Sequence, residues 1–192
     1  GVHGHELKGS MGLGHKAGDA DRDLHALALR SIGYLIEQVH DLLRRMLHTD
    51  AFRREYLALA RGEFPDGSGT IDLPIGRDES APTKRAVTPD GQPSRTEYTV
   101  LERFPAGALL RVRPLTGRTH QIRVHMAWIR HPIAGDPVYG IGKPELGLHS
   151  QCLHAKELTF LHPRTGEEMT LSCPLPEEFE NALKKLQRTM GL

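Results

Sequence analysis

Apolar residues recur at three- and four-residue steps early in the chain, at Leu24, Leu27, Ile32, Leu35, Ile36, Val39, Leu42, Leu43 and Met46. That spacing predicts one amphipathic helix over 21–47, with Arg and Glu on its other face and an N-cap offered by Asp19 or Asp21. Ahead of it, residues 1–20 are rich in Gly and His and predict a flexible leader. After about residue 53 the texture changes to strands and turns. Glu55–Ala60 predicts a strand, 65–69 a loop, and the polar, Pro/Gly-rich stretch 76–95 a long excursion. Thr96–Phe104 and Ala108–Leu115 predict a hairpin around Pro-Ala-Gly. Alternation in the second strand puts Arg111 and Arg113 on one face.

Beyond the hairpin, 116–119 predicts a turn with a cap, HQIRVHMAWI (120–129) a short helix, and 132–148 a loop. Leu153–Phe160 and Met169–Cys173 pair as strands around 163–166, and 177–190 closes as a helix through Phe179, Leu183 and Leu186. The fold class expected is α+β with a mainly antiparallel sheet and flanking helices, preceded by the amphipathic helix. Three segments follow: the leader 1–20, the helical segment 21–52 and a core over 53–192.

Composition narrows the function classes. Of 192 residues, 38% are hydrophobic and 26% charged, the balance of an ordinary globular protein. No run of apolar residues is long enough for a membrane span, and no basic start leads into an apolar stretch, so a cytoplasmic protein is expected. Cys152 and Cys173 lack disulfide-framework or metal-ligand spacing, and His120 with His125 are wrongly spaced to share a helix face, so no metal is expected. The net charge of +1 announces no polyanion partner, but Arg111, Arg113, Arg118, Arg123 and Arg130 share a segment without an acidic residue. Arg118 and Thr119 at the helix start suit phosphate contacts. With His120 and Arg130 they extend a candidate RNA-binding surface from Arg111 and Arg113. Asp136, in Gly-Asp-Pro, reads as a turn-capping aspartate.

Four blocks are distinctive: EYLALARG (55–62), RPLTGRTHQIRVHM (113–126), HPIAGDPVYG (131–140) and LHAKELTFLHPRTG (153–166). In this order and at this spacing they resemble the RluA family of RNA pseudouridine synthases, over residues 53 to about 188. The resemblance implies that family's sheet-plus-helices fold and the isomerisation of uridine to its C5-glycoside in structured RNA, ribosomal or transfer, without metal or cofactor. It implies that an aspartate acts as nucleophile and that Arg123 holds it ionised. It further implies that Tyr56 removes the C5 proton and stacks on the flipped base, and that Leu153 forms the apolar wall.

The family's nucleophile stands in a block reading H-R-L-D-x-x-T-S-G-L, upstream of the tyrosine strand, and no such block occurs here. The nearest trace, His5–Leu13, has Lys8 where the aspartate would fall. Asp41, Asp50, Glu55 and the string Asp19, Asp21, Asp23 are the upstream carboxylates, and none fits the motif. The leading expectation is therefore an RluA-type synthase whose nucleophile is not located. The alternative is a non-catalytic RNA-binding module that has lost it. A third reading, an interaction protein whose helix at 21–47 packs on a partner or on a second copy, rests on apolar positions such as Leu35 and Val39.

Overall fold

A computed structural model describes residues 52–190 except Pro144 and Pro163, together with Glu37, His40, Asp41, Leu42, Arg45 and Thr49. The chain divides into two compact units, Gly1–Leu43 and Arg44–Leu192. In the first, Glu37, His40, Asp41 and Leu42 are helical and exposed. The leader, most of the 21–47 helix and its contact positions Leu35 and Val39 lie outside the described residues.

The second unit is built on a six-stranded antiparallel sheet in the order β2-β5-β6-β1-β7-β8. Its strands are β1 (Phe52–Arg61), β2 (Ser68–Asp72), β5 (Arg95–Phe104), β6 (Gly107–Pro114), β7 (Leu153–Leu161) and β8 (Glu168–Ser172). Two short strands, β3 (Ile75–Arg77) and β4 (Arg85–Val87), pair separately. The expected hairpin of β5 and β6 and the pair of β7 and β8 are present. Two features differ from the pattern reading. The loop expected at 65–69 runs into β2, whose polar residues give no alternation to read, because pairing with β5 and burial of Ile71 hold it. The excursion at 76–95 contains β4 and part of β3, closed by reciprocal backbone bonds between Ile75 and Gln92. Gly91 is required there: a Cβ on it would lie 2.6 Å from the Ile75 carbonyl carbon.

The strand period of two sorts the central strands onto two faces. Ala58, Ala60, Leu110 and Val112 pack with Ile122 and Met126 of α1 (Gln121–Trp128). Leu59 packs on the other face with Phe179 and Ala182 of α2 (Glu177–Arg188), and Leu57 and Leu109 lie against that cluster. Acidic Glu177, Glu178 and Glu180 open α2, and Lys185 and Arg188 close it, matching the helix dipole.

Candidate active site

The first face carries the site. Tyr56 and Arg54 follow the parity of Ala58 along β1, and Tyr56 lies opposite Val112 of β6. On the other side of β1, Leu153 of β7 lies opposite Ala58. A register shift between Glu55 and Tyr56 lets β7 carry one extra residue here. α1 lies over this face and presents Arg123. Tyr56, Arg123 and Leu153, far apart in sequence, thus line one cavity of ≈ 190 Å³ with Arg54, Pro114, Thr116, Gly117, Arg118, His120, Gln121 and Ile122.

The start of α1 is not closed by a side-chain cap from residues 116–119. His120 is the N-cap and adopts the left-handed conformation (φ 58°), with no capping hydrogen bond from its side chain. Gln121 does the fastening instead. Its Oε1 accepts from the Thr116 hydroxyl (2.7 Å) and the Arg118 N–H (3.0 Å). Its Nε2 donates to the Arg95 carbonyl (2.9 Å) and to Thr96 Oγ1 (3.0 Å). Every hydrogen-bonding group of this buried amide is satisfied. The chain of bonds continues inward to His125, which has no exposure. Its Nε2 lies 3.0 Å from the Leu73 carbonyl, which can only accept, and its Nδ1 lies 2.9 Å from Thr96 Oγ1. The proton therefore sits on Nε2 of a neutral ring. Burial pushes the pKa of His125 down, the Leu73 carbonyl only partly opposing it.

Among the described residues, Arg123 meets one carboxylate, that of Asp136. Its Nε donates to Oδ2 and its Nη2 to Oδ1, both at 2.7 Å, with side-chain exposures of 11% for Arg123 and 0% for Asp136. Asp136 Oδ1 also accepts the N–H groups of Val138 (2.9 Å) and Tyr139 (3.0 Å), so it caps its turn as the sequence suggests while gripping the arginine. Burial alone would raise its pKa, but the hydrogen bonds from Arg123, Tyr139 and Val138 outweigh it and hold the carboxyl below its ordinary value. The same pairing raises that of Arg123. The Arg123 guanidinium also lies 4.9 Å from the centre of the Tyr139 ring.

Tyr139 ties its loop to β4 and to α1. Its hydroxyl accepts the Arg85 N–H from β4 (2.9 Å) and lies 2.9 Å from His120 Nδ1. The phenol has one proton, free to go to Nδ1, which leaves the neutral imidazole's own proton on Nε2. Burial first, then the Arg123 charge, lowers the pKa of His120. Sequence reasoning missed Tyr139 and Arg54. Tyr139 was inside a recognised block, but its three partners are all distant in sequence.

The arginine run from 111 to 130 is divided by the fold. Arg118, Thr119 and His120 stand at the start of α1. Arg118 and Thr119 also line a neighbouring groove of ≈ 600 Å³, with Arg77 and Arg85 beside Glu79 and Asp90. Arg111 and Arg113 have the opposite strand parity from Val112 and so belong to the other face of the sheet, where Arg111 pairs with Glu55 at 3.3 Å. Arg130 lies beyond the last turn of α1, with φ 67°. Of the upstream carboxylates, Glu55 is on the far face of the sheet, Asp41 of the first unit is paired with His40 at 3.7 Å, and Asp19, Asp21, Asp23 and Asp50 lie outside the described residues. No carboxylate is among the described residues that line the cavity. Among the described residues, no group of His, Cys, Asp and Glu could hold a metal ion, and no helix is long and apolar enough to cross a membrane.

Comparison with known proteins gives a consistent picture. A family profile described as RNA pseudouridylate synthase matches residues 37–128. A protein of Chloroflexus aurantiacus named "uncharacterized RNA pseudouridine synthase" is 43% identical over 168 residues, covering 85% of this chain and 53% of its own. The ribosomal large subunit pseudouridine synthase D of Nitrosomonas europaea is 40% identical over 174 residues, covering 87% and 49%. The chain spans about half the length of the curated relatives it matches. Among solved structures, human RNA pseudouridylate synthase domain containing 1 superimposes with a TM-score of 0.62 at 27% identity, covering 77% of this chain and 69% of that one.

Proposed function

The chain belongs to the RluA-type family of RNA pseudouridine synthases, and from that premise we propose that it isomerises uridine to pseudouridine in structured RNA, ribosomal or transfer, in the cytoplasm. The observation that carries the reading is the shared cavity of Tyr56, Arg123 and Leu153. In it an extruded uracil lies between the Tyr56 ring and Leu153, and Tyr56 takes the proton from C5. Arg123 contributes a fixed positive charge at the cavity wall. Asp136 is its positioning residue and not the nucleophile, since a fully buried carboxylate with both oxygens hydrogen-bonded can reach no base. The nucleophilic carboxylate comes from outside the described residues, with Asp50 the nearest to Tyr56 in sequence.

Release of tritium from RNA labelled at uridine C5 tests this reading. Release that requires Tyr56 and is abolished by Asp50→Asn identifies both residues. Release unaffected by Tyr56→Phe refutes the assignment. The second reading, an RNA-binding module without turnover, is supported by the lack of a carboxylate among the described residues of the cavity wall. It predicts RNA binding without any tritium release, since losing a nucleophile typically removes on the order of 10⁶ in rate.

A further inference from the structure

Arg123 spends its charge on Asp136, but two other arginines lining the same cavity have no carboxylate partner among the described residues. Arg54 lies two residues before Tyr56 and on the same side of β1. Its guanidinium is held by Nη2 donating to the Thr116 carbonyl at 3.1 Å and by its close approach to Gly117, where a Cβ would stand 3.2 Å from Nη1. Its Nε is buried without a hydrogen-bond partner among the described residues, and its guanidinium carbon lies 6.0 Å from the centre of the Phe52 ring. Among the described residues, the Arg118 side chain is tied down only by a long bond from Nε to the Pro93 carbonyl, 3.3 Å, and it lines both the cavity and the larger groove. Among the described residues, the groove carries both signs of charge and the cavity only positive ones.

A part-buried guanidinium with no carboxylate partner among the described residues favours an anion, and its Nη groups can donate to phosphate oxygens. A uridine drawn out of its stack brings its flanking phosphodiester to the cavity mouth. We propose that Arg54, together with Arg118, grips the phosphodiester adjoining the extruded uridine. This rests on the RNA reading above and adds an anion-binding subsite to it. Gly117 lets the Arg54 guanidinium lie close to the turn, and the Thr116 carbonyl aims it.

The test is the affinity of the full chain for pentauridylate, measured by fluorescence anisotropy across a salt series, for wild type, Arg54→Ala, Arg54→Lys and the α2 surface control Lys184→Ala. The same oligonucleotides are then made with a neutral methylphosphonate at each linkage in turn. Arg54→Ala weakens binding about tenfold to a hundredfold and lowers the salt slope by about one. Arg54→Lys keeps the slope but recovers affinity only in part. At one linkage the methylphosphonate penalty seen with wild type disappears in Arg54→Ala. Thermal melts confirm that each variant folds. If wild type binds and Arg54→Ala binds equally well, the subsite is refuted and the RNA reading stands. If tritium release is lost in Arg54→Ala while affinity is intact, Arg54 holds a carboxylate of the protein and the proposal is again overturned. If wild type does not bind pentauridylate, the subsite and the RNA reading fail together.

Discussion

Arg123 and Asp136 form a closed two-bond pair, Nε to Oδ2 and Nη2 to Oδ1, each 2.7 Å long and almost wholly out of solvent. Removing one charge from such a pair leaves the other buried and uncompensated. Asp136→Asn is expected to cost about 3 kcal/mol of stability in chemical denaturation. A loss within about 0.5 kcal/mol, typical of a surface change, would show that the pair does not hold the loop at 132–140 to α1.

His125 sets an acid limit. Burial lowers its folded pKa below its ordinary value, and His120 is shifted in the same direction. Between the folded pKa and the unfolded value of about 6.5, the unfolded chain therefore binds more protons. Stability is full above about pH 6.5 and falls as pH drops toward the folded values. Urea midpoints measured on either side of that pH should show the loss, and His125→Gln should reduce its slope. An unchanged wild-type midpoint at pH 5.5 would count against a buried neutral ring.

The division of the arginines between two faces predicts unequal effects on RNA. Arg118→Ala should weaken binding and lower the salt slope by about one, because Arg118 lines both cavity and groove. Arg113→Ala, on the other face, should change affinity less than twofold, within the scatter of a weak surface contribution. Equal losses in the two variants would mean that RNA wraps both faces of the sheet.

Gly91→Ala would press a methyl group against backbone, at 2.6 Å from the Ile75 carbonyl carbon and 2.7 Å from its nitrogen. Backbone cannot step aside as a flexible side chain can, so a destabilisation of about 1–3 kcal/mol is expected. Hydrogen exchange locates it. The Ile75 and Gln92 amides, which bond to each other's carbonyls, should lose protection while that of Leu110 keeps it. Uniform loss across the sheet would contradict a local effect.

Much of this protein is legible from its pattern alone. Alternation in Ala108–Leu115 and the helical spacing at 177–190 identify β6 and α2 because each buries one face of a regular element. The residue blocks carry Tyr56, Arg123 and Leu153 because the resemblance fixes their register. Tertiary structure decided the rest. β2 and β3 show no period of their own, since they exist through their partners, β5 and the reciprocal bonds of Ile75 and Gln92. A run of arginines looks like one basic surface until strand parity sends Arg111 and Arg113 to the face opposite Tyr56. Tyr139 drew no notice in sequence because hydrogen bonds and ring contacts act through space, and Arg85, His120 and Arg123 meet it only in the folded chain. Asp136 reads as a turn cap from its neighbours Gly135 and Pro137. Its grip on Arg123, thirteen residues earlier, depends on how the loop folds back over α1.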